Sequence, residues 1–375
     1  MTASPPDDDG ALPQQSTRPS PRGVATWLLV CCAMVFVMVV LGALTRLTHS
    51  GLSMVQWRPI TGILPPMTDA AWQHAFAQYK SSPEFQRINV QMDLSGYKSI
   101  FYLEYIHRLW GRLIGLAFFV PMVVFVACRR LPAGLAPKLV ALFGLGGLQG
   151  CLGWYMVQSG LVDRPDVSQY RLTAHLGAAF LLYGYMLWLA LSLLQPRACI
   201  IPAGEAALRR SSLVALSLVF LTVLAGGLVA GLDAGFVFND FPWMGGKLVP
   251  DGLLALQPVL TNVGENVITV QFQHRVLALT TAAWVGVTCW QARRARLSAA
   301  RMRPFYAALG IVVVQLSLGI ATLMLYVPTW LATLHQATGL LLFSTAIWTT
   351  HSAHGGVRAQ PAHIPRDVVP MRLAS

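Results

Sequence analysis

Eight times along this 375-residue chain the sequence turns apolar for about the thickness of a bilayer, and no other feature limits its fold as much. A helix needs roughly 20 apolar residues to cross the hydrocarbon core. The runs fall at 24–45, 106–127, 136–157, 172–194, 212–231, 273–291, 304–326 and 331–349. Composition agrees, with 55% of residues hydrophobic and 11% charged, where a soluble domain carries about 25% charged residues. The expected fold class is an all-α polytopic membrane protein with eight transmembrane helices.

A net charge of +12 would suit a nucleic-acid partner, but its distribution excludes that reading. Arg129, Arg130 and Lys138 share one short loop, and Arg197, Arg209 and Arg210 another. Arg293, Arg294, Arg296, Arg301 and Arg303 fill a third, and Arg358, Arg366 and Arg372 mark the C-terminal tail. These are alternate loops, so the positive-inside rule puts both termini in the cytoplasm and makes lipid the partner of the basic residues. Of the six cysteines, Cys31, Cys32, Cys151 and Cys289 fall inside spans, and Cys128 and Cys199 lie at or near the cytoplasmic face. With none in an outer loop, no disulfide framework is expected. The first 23 residues are polar, Pro-rich and acidic at Asp7 to Asp9, which suits a disordered tail and argues against a mitochondrial transit peptide. A bacterial inner membrane is the expected location.

The chain also repeats itself. LGALTRLTHSG (Leu41 to Gly51) aligns with AGGLVAGLDAG (Ala225 to Gly235), and EYIHRLWGRL (from Glu104) with QFQHRVLALT (from Gln271). LQGCLGWYM (from Leu148) aligns with VQLSLGIAT (from Val314), and AHLGAAFLL (from Ala174) with LHQATGLLL (from Leu334). The order is the same in both copies. Each copy holds an even number of spans, so the two enter the membrane in the same sense, as a parallel repeat. The expected organisation is a cytoplasmic tail (1–23) and a four-helix half (24–194) with a long outer loop (50–103). A linker (195–211), a second four-helix half (212–349) and a C-terminal tail (350–375) follow. The outer-loop stretch AWQHAFAQYKSSPEFQRINVQ has the makings of one or two short interfacial helices.

Four of nine histidines, His107, His175, His274 and His335, occupy equivalent places in the repeat, each opening the second or fourth span of its half at the outer face. Two imidazoles facing each other across a four-helix bundle can supply both axial ligands of a haem iron. A lone histidine at a helix end is usually structural, but four in matched pairs at a depth where polar groups are costly ask for a task. Zinc would need more ligands than two histidines per half. His49, whose repeat partner is Asp233, reads as an interfacial polar residue, and His74, His351, His354 and His363 as solvated ones. Arg108 and Arg275 directly follow paired histidines. They suit haem propionates through forked hydrogen bonds, or equally well snorkel to the headgroups. Arg46 lies near the same level with weaker support, and the glycines of GLGGLQG, LAGG and LGI read as helix-packing residues.

At this point the sequence resembles the heme A synthase family, in its proteobacterial and mitochondrial cytochrome c oxidase assembly branch. The resemblance rests on GALTRLTHSGLSMVQWRPITGILPP, EFQRIN, EYIHRLWGR, TAHL, FNDFPWMGG, QFQHR and LHQATG, and runs from Val24 to Thr350. It implies two pseudo-symmetric four-helix bundles. It implies oxidation of the C8 methyl of haem O to a formyl group, giving haem A. It further implies haem O as substrate between His107 and His175, a haem b cofactor on His274 and His335, and Glu104 as a catalytic acid/base or stabilising group. A farnesyltransferase that makes haem O and oxidase assembly proteins would be partners, and a homo-oligomer is compatible. Some branches carry a cysteine pair in the first outer loop; this chain has none there.

The two copies differ in one telling place: Glu104 aligns with Gln271, each three residues before its histidine. On a helix that spacing puts both groups on one face, about 5–6 Å apart at Cβ. A carboxylate can exchange protons, whereas an amide offers only fixed polarity. Glu104 is equally placed to pair with Arg108 one turn on, and the two roles are compatible. The expected division is one reactive and one electron-transfer half. A di-haem b cytochrome carrying electrons from quinol would use the same histidine pairs, and a haem carrier in oxidase assembly would too.

Overall fold

A computed structural model of the chain describes residues 21–57, 62–161, 167–194 and 205–354. The expected N-terminal tail up to residue 20, the linker residues 195–204 and the tail from 355 onward lie outside the described residues. So do Arg197, Cys199, Arg358, His363, Arg366 and Arg372. Residues 350–354, expected in the C-terminal tail, instead continue the last long helix, where His351 is buried rather than solvated.

Among the described residues the chain is all-helical, with no strand beyond an isolated bridge between Met244 and Lys247. The long helices are α1 (Pro21–Leu47), α4 (Leu94–Ala127), α5 (Ala136–Gly160), α6 (Gln169–Leu194), α7 (Ala206–Gly231), α9 (Val267–Arg294), α10 (Ala299–Met324) and α11 (Thr329–His354). Three short ones, α2 (Asp69–Lys80), α3 (Pro83–Arg87) and α8 (Asn262–Glu265), lie in the connections. Six helices, α1, α4, α5, α6, α7 and α10, are long and apolar enough to cross a membrane. The other two, α9 and α11, are as long but more polar, with Gln271, Gln273, His274 and Arg275 on one and His335, Gln336 and several threonines on the other. α11 packs against α1, α6, α7 and α10, and α9 against α7 and α10. α11, held among four other helices, can carry polar residues that a lipid-facing helix would not, and Gln271 and Arg275 near the start of α9 donate to loop carbonyls.

The helix that carries EYIHRLWGRL starts earlier than its apolar run. The sequence places that span at 106–127; the structure carries α4 back to Leu94, where the Asp93 side chain accepts the Gly96 amide at 2.8 Å. An N-cap bond of this kind fixes a helix start where hydropathy gives no signal. His107 therefore sits well inside a helix rather than at its mouth.

The packing has a regular plan. α1 packs against α4 and α6, and α5 against α4 and α6; α7 packs against α9 and α11, and α10 against α9 and α11. The two sets meet through α6 with α7, α1 with α11, and α6 with α11. At that junction the Phe343 ring lies 5.3 Å from Phe180 and 6.1 Å from Phe220, centroid to centroid. α1 and α7 both end at a left-handed residue, His49 (φ 49°) and Asp233 (φ 50°), and α4 and α9 are followed by Arg129 (φ 51°) and Arg296 (φ 52°). Left-handed non-glycine residues are uncommon, and these two pairs have the same sequence offsets as the repeated strings.

Between α1 and α4 the chain builds a small cap. α2 and α3 form within the stretch expected to hold short helices, started by Thr68 and Ser82 side chains that accept the Ala71 and Phe85 amides. Trp72, Phe76 and Tyr79 bury themselves against Tyr97 and Phe101 on the early turns of α4. At the opposite end of the helices Arg301 forks onto Glu205 at 2.8 and 2.6 Å and also donates to the Ser352 carbonyl, tying α10 to the start of α7 and to α11.

Candidate functional site

His175 on α6 stands near enough to His107 on α4 to bear on it electrostatically, as His274 on α9 does on His335 on α11. Each of these proximities joins two helices of the same set. In all four rings Nδ1 is sealed from solvent and unbonded. Each ring also rests on a glycine of a neighbouring helix. A Cβ on Gly42 would stand 3.2 Å from His107 Cε1, on Gly153 3.2 Å from His175 Cε1, on Gly226 3.2 Å from His274 Cε1, and on Gly319 2.8 Å from His335 Cε1. The carbonyls of Leu41, Thr222 and Gln315 stand beside the rings of His107, His274 and His335, outside hydrogen-bonding geometry.

This geometry suits haem. Metal-bound histidines commonly turn one ring nitrogen toward a backbone carbonyl and bind with the other, and here the sealed Nδ1 leaves Nε2 for the iron. Among the described residues no group of three or more His, Cys, Asp or Glu side chains is placed to hold a bare metal ion. A porphyrin needs only two axial ligands, because its own nitrogens supply the rest. The two halves differ in detail. Gln149 Nε2 donates to the His175 carbonyl at 2.8 Å, whereas its counterpart Gln315 reaches the ring, 3.4 Å from His335 Nε2.

Glu104 is buried and fully engaged. Its Oε2 accepts from Ser53 Oγ at 2.6 Å and from the Met54 amide at 2.7 Å, and its Oε1 accepts from Arg108 at 2.5 Å. Arg108 also donates to the Met54 and Gln56 carbonyls at 3.0 and 3.2 Å. The acid and the arginine together clamp the start of the outer loop onto α4. In the matching place Gln271 donates to the Phe238 carbonyl at 3.0 Å. Arg275 donates to the carbonyls of Phe238, Asp240 and Trp243 at 2.8, 2.8 and 2.9 Å. Both arginines thus point into outer-loop backbone. Ser53, Met54 and Phe238 are contributors that spacing alone does not reveal, because they lie on loops far from the helices in sequence.

The loop in the second half is further organised by Asp240. Despite some desolvation, the Gly245 and Gly246 amides, each 3.2 Å from a carboxylate oxygen, and nearby Arg275 hold its carboxyl below the usual range. Arg46 links the two halves. It donates to the Ala230 carbonyl at 2.9 Å and to the Asp233 carboxylate at 3.1 Å.

Together these features define an all-helical, multi-pass membrane protein with four histidine rings set against glycines of neighbouring helices. The family described as cytochrome oxidase assembly protein matches residues 25–347. The chain is 47% identical to the heme A synthase of Nitrosospira multiformis over 331 residues, 88% of this chain and 93% of that one. It is 48% identical to that of Rhodospirillum centenum over 342 residues, 91% of each. It is 45% identical to heme A synthase COX15 of Mus musculus over 339 residues, 88% of this chain and 82% of that one. The chain belongs to the cytochrome oxidase assembly family that contains these heme A synthases.

Proposed function

We propose that this chain performs heme A synthesis, oxidising the C8 methyl of haem O to a formyl group for use in cytochrome oxidase. The observation that carries the reading is the within-half pairing of His107 with His175 and His274 with His335, each ring seated on a glycine, in a chain of this family. Eight spans in two parallel four-helix repeats form the frame, supported by the matched packing and the matched left-handed helix ends. Both termini lie in the cytoplasm of a bacterium, with the protein in the inner membrane.

In this reading haem O lies between His107 and His175. His274 and His335 hold a haem b, which supplies one-electron redox chemistry when bound. Written as a half-reaction, R–CH3 and one water become R–CHO with the release of four electrons and four protons, so the reactive half needs a proton acceptor. Glu104 is its carboxylate, one helical turn from His107, with Ser53, Met54 and Arg108 holding it in place. Gln271 cannot take up a proton, which suits a half that only relays electrons. Arg108 and Arg275 fix the outer loops over the two sites and present positive charge where haem propionates would lie. The outer cap excludes water from the reactive half. The enzyme that farnesylates haem is a natural partner, because so apolar a product is best handed over directly.

The test is expression in a strain that makes haem O and lacks haem A. Extracted pigment containing haem A supports the reading; haem B alone would favour a di-haem b cytochrome instead.

A further inference from the structure

The geometry points to Gly42, Gly153, Gly226 and Gly319 as a set of positioning residues that fix the four histidine rings for haem iron. This inference rests on the haem reading above and deepens it. The glycines stand at equivalent places in the two halves, and each belongs to a helix adjacent to the one bearing its histidine: α1 for α4, α5 for α6, α7 for α9 and α10 for α11. In all four, the atom nearest to the missing Cβ is the histidine Cε1. Contacts of 3.2 Å are tighter than a Cβ normally makes, and 2.8 Å at Gly319 is closer than it can tolerate. An alanine would therefore push the ring away from the neighbouring helix and turn it about its own axis. Other helical glycines behave differently: a Cβ on Gly286 in α9 or Gly310 in α10 meets nothing within 4 Å. The pattern thus separates glycines that touch a ligand from glycines that do not. A second feature is independent of glycine geometry: Nδ1 of every ring is sealed and unbonded. With Nδ1 unbonded, and among the described residues only His335 reached at Nε2 by a side chain, Gln315 at 3.4 Å, the glycine surface does most to set each ring's angle.

The experiment compares full-length purified protein carrying Gly226→Ala, Gly319→Ala, Gly286→Ala or Gly310→Ala, measuring haem b content, the low-spin electron paramagnetic resonance signal and the haem midpoint potential. Supporting shells of metal-bound histidines typically change affinity by about 10- to 100-fold. Gly226→Ala and Gly319→Ala should weaken haem b retention by about that factor, or keep the haem with a shifted signal and potential, Gly319→Ala the more strongly. Gly286→Ala and Gly310→Ala should match wild type, while Gly42→Ala and Gly153→Ala should leave the haem b signature alone and alter the spectrum of added haem O. Wild-type content, signal and potential in both Gly226→Ala and Gly319→Ala would overturn the inference. So would failure of those two variants to accumulate in the membrane while the controls do, because the glycines would then serve helix packing. If wild-type protein binds no haem b at all, the functional reading fails instead.

Discussion

The Met54 amide donates to Glu104 Oε2 at 2.7 Å, so the first outer loop hangs from a carboxylate buried in α4. In the second half the polarity is reversed: Gln271 donates and the Phe238 carbonyl accepts, at 3.0 Å. The two residues are therefore not interchangeable in either half. A carboxylate can only accept these bonds, and an amide must offer two N–H groups to whatever it faces.

Glu104→Gln tests this difference. The amide would direct N–H groups toward the Arg108 guanidinium or the Met54 amide and remove the charge opposite Arg108. An unmatched buried polar contact costs about 1–3 kcal/mol. The outer loop at 53–57 should exchange amide hydrogens faster. Haem O or a hydroxylated form should accumulate, and haem b should be retained. Normal haem A yield from this variant would remove Glu104 from the chemistry.

The Arg46 link between the halves separates two kinds of contribution. Asp233 is half exposed in its side chain, at 49%, and exposed ion pairs contribute about 0–1 kcal/mol. Asp233→Asn should hardly move the thermal midpoint in detergent, and less still at high salt. Arg46→Ala also strips the donor from the Ala230 carbonyl near the end of α7, and should cost more than the aspartate change. Equal effects would mean that the carbonyl contact contributes nothing.

The turn at Asp240 should respond to pH in one direction. Its carboxyl is held below its ordinary value in the folded protein. The associated stability is present above the unfolded-state pKa and is lost as pH falls through the folded one. Proteolysis at Lys247 should stay low at neutral pH in wild type and rise only in acid below the usual carboxylate range. Asp240→Asn should show the raised susceptibility already at neutral pH. A wild-type loop that opens near pH 7 would contradict this.

The cap over the first half is a water-driven core, so its loss should be local. Trp72 is 6% exposed and stacks edge-on against Phe101 at 5.0 Å. Trp-to-Ala changes at buried sites cost about 3–5 kcal/mol. Trp72→Ala should loosen α2 and α3, as read by hydrogen exchange, and lower haem A formation. Haem b content should not change, because among the described residues α2 packs on α4 and α3.

How much of this was legible in the sequence depends on whether the signal was periodic or spatial. Each of the eight apolar runs falls on a long helix, but only α1, α4, α5, α6, α7 and α10 are long and apolar enough to cross a membrane, because α9 and α11 carry more polar residues. The repeat singles out His107, His175, His274 and His335, and the structure sets each ring against a glycine of a neighbouring helix. The start of α4 was missed by about three turns, because a cap at Asp93 is a local hydrogen bond rather than a hydropathy signal. In sequence the glycines read only as helix-packing residues. Only three-dimensional contact distinguishes Gly226 and Gly319, which touch imidazoles, from Gly144, Gly146, Gly147 and Gly150, where a Cβ meets open space. The loop partners of Glu104 and Gln271 were likewise invisible, because Met54 and Phe238 meet them only after the chain folds back.

The division of labour between the halves is the central claim, and one measurement tests it directly: haem extraction from purified wild type and from His107→Ala, His175→Ala, His274→Ala and His335→Ala. The account predicts that haem b is lost from the His274 and His335 variants alone, while the His107 and His175 variants keep it but make no haem A. Loss of haem b from the His107 or His175 variant, or its retention in both of the other two, would contradict the account.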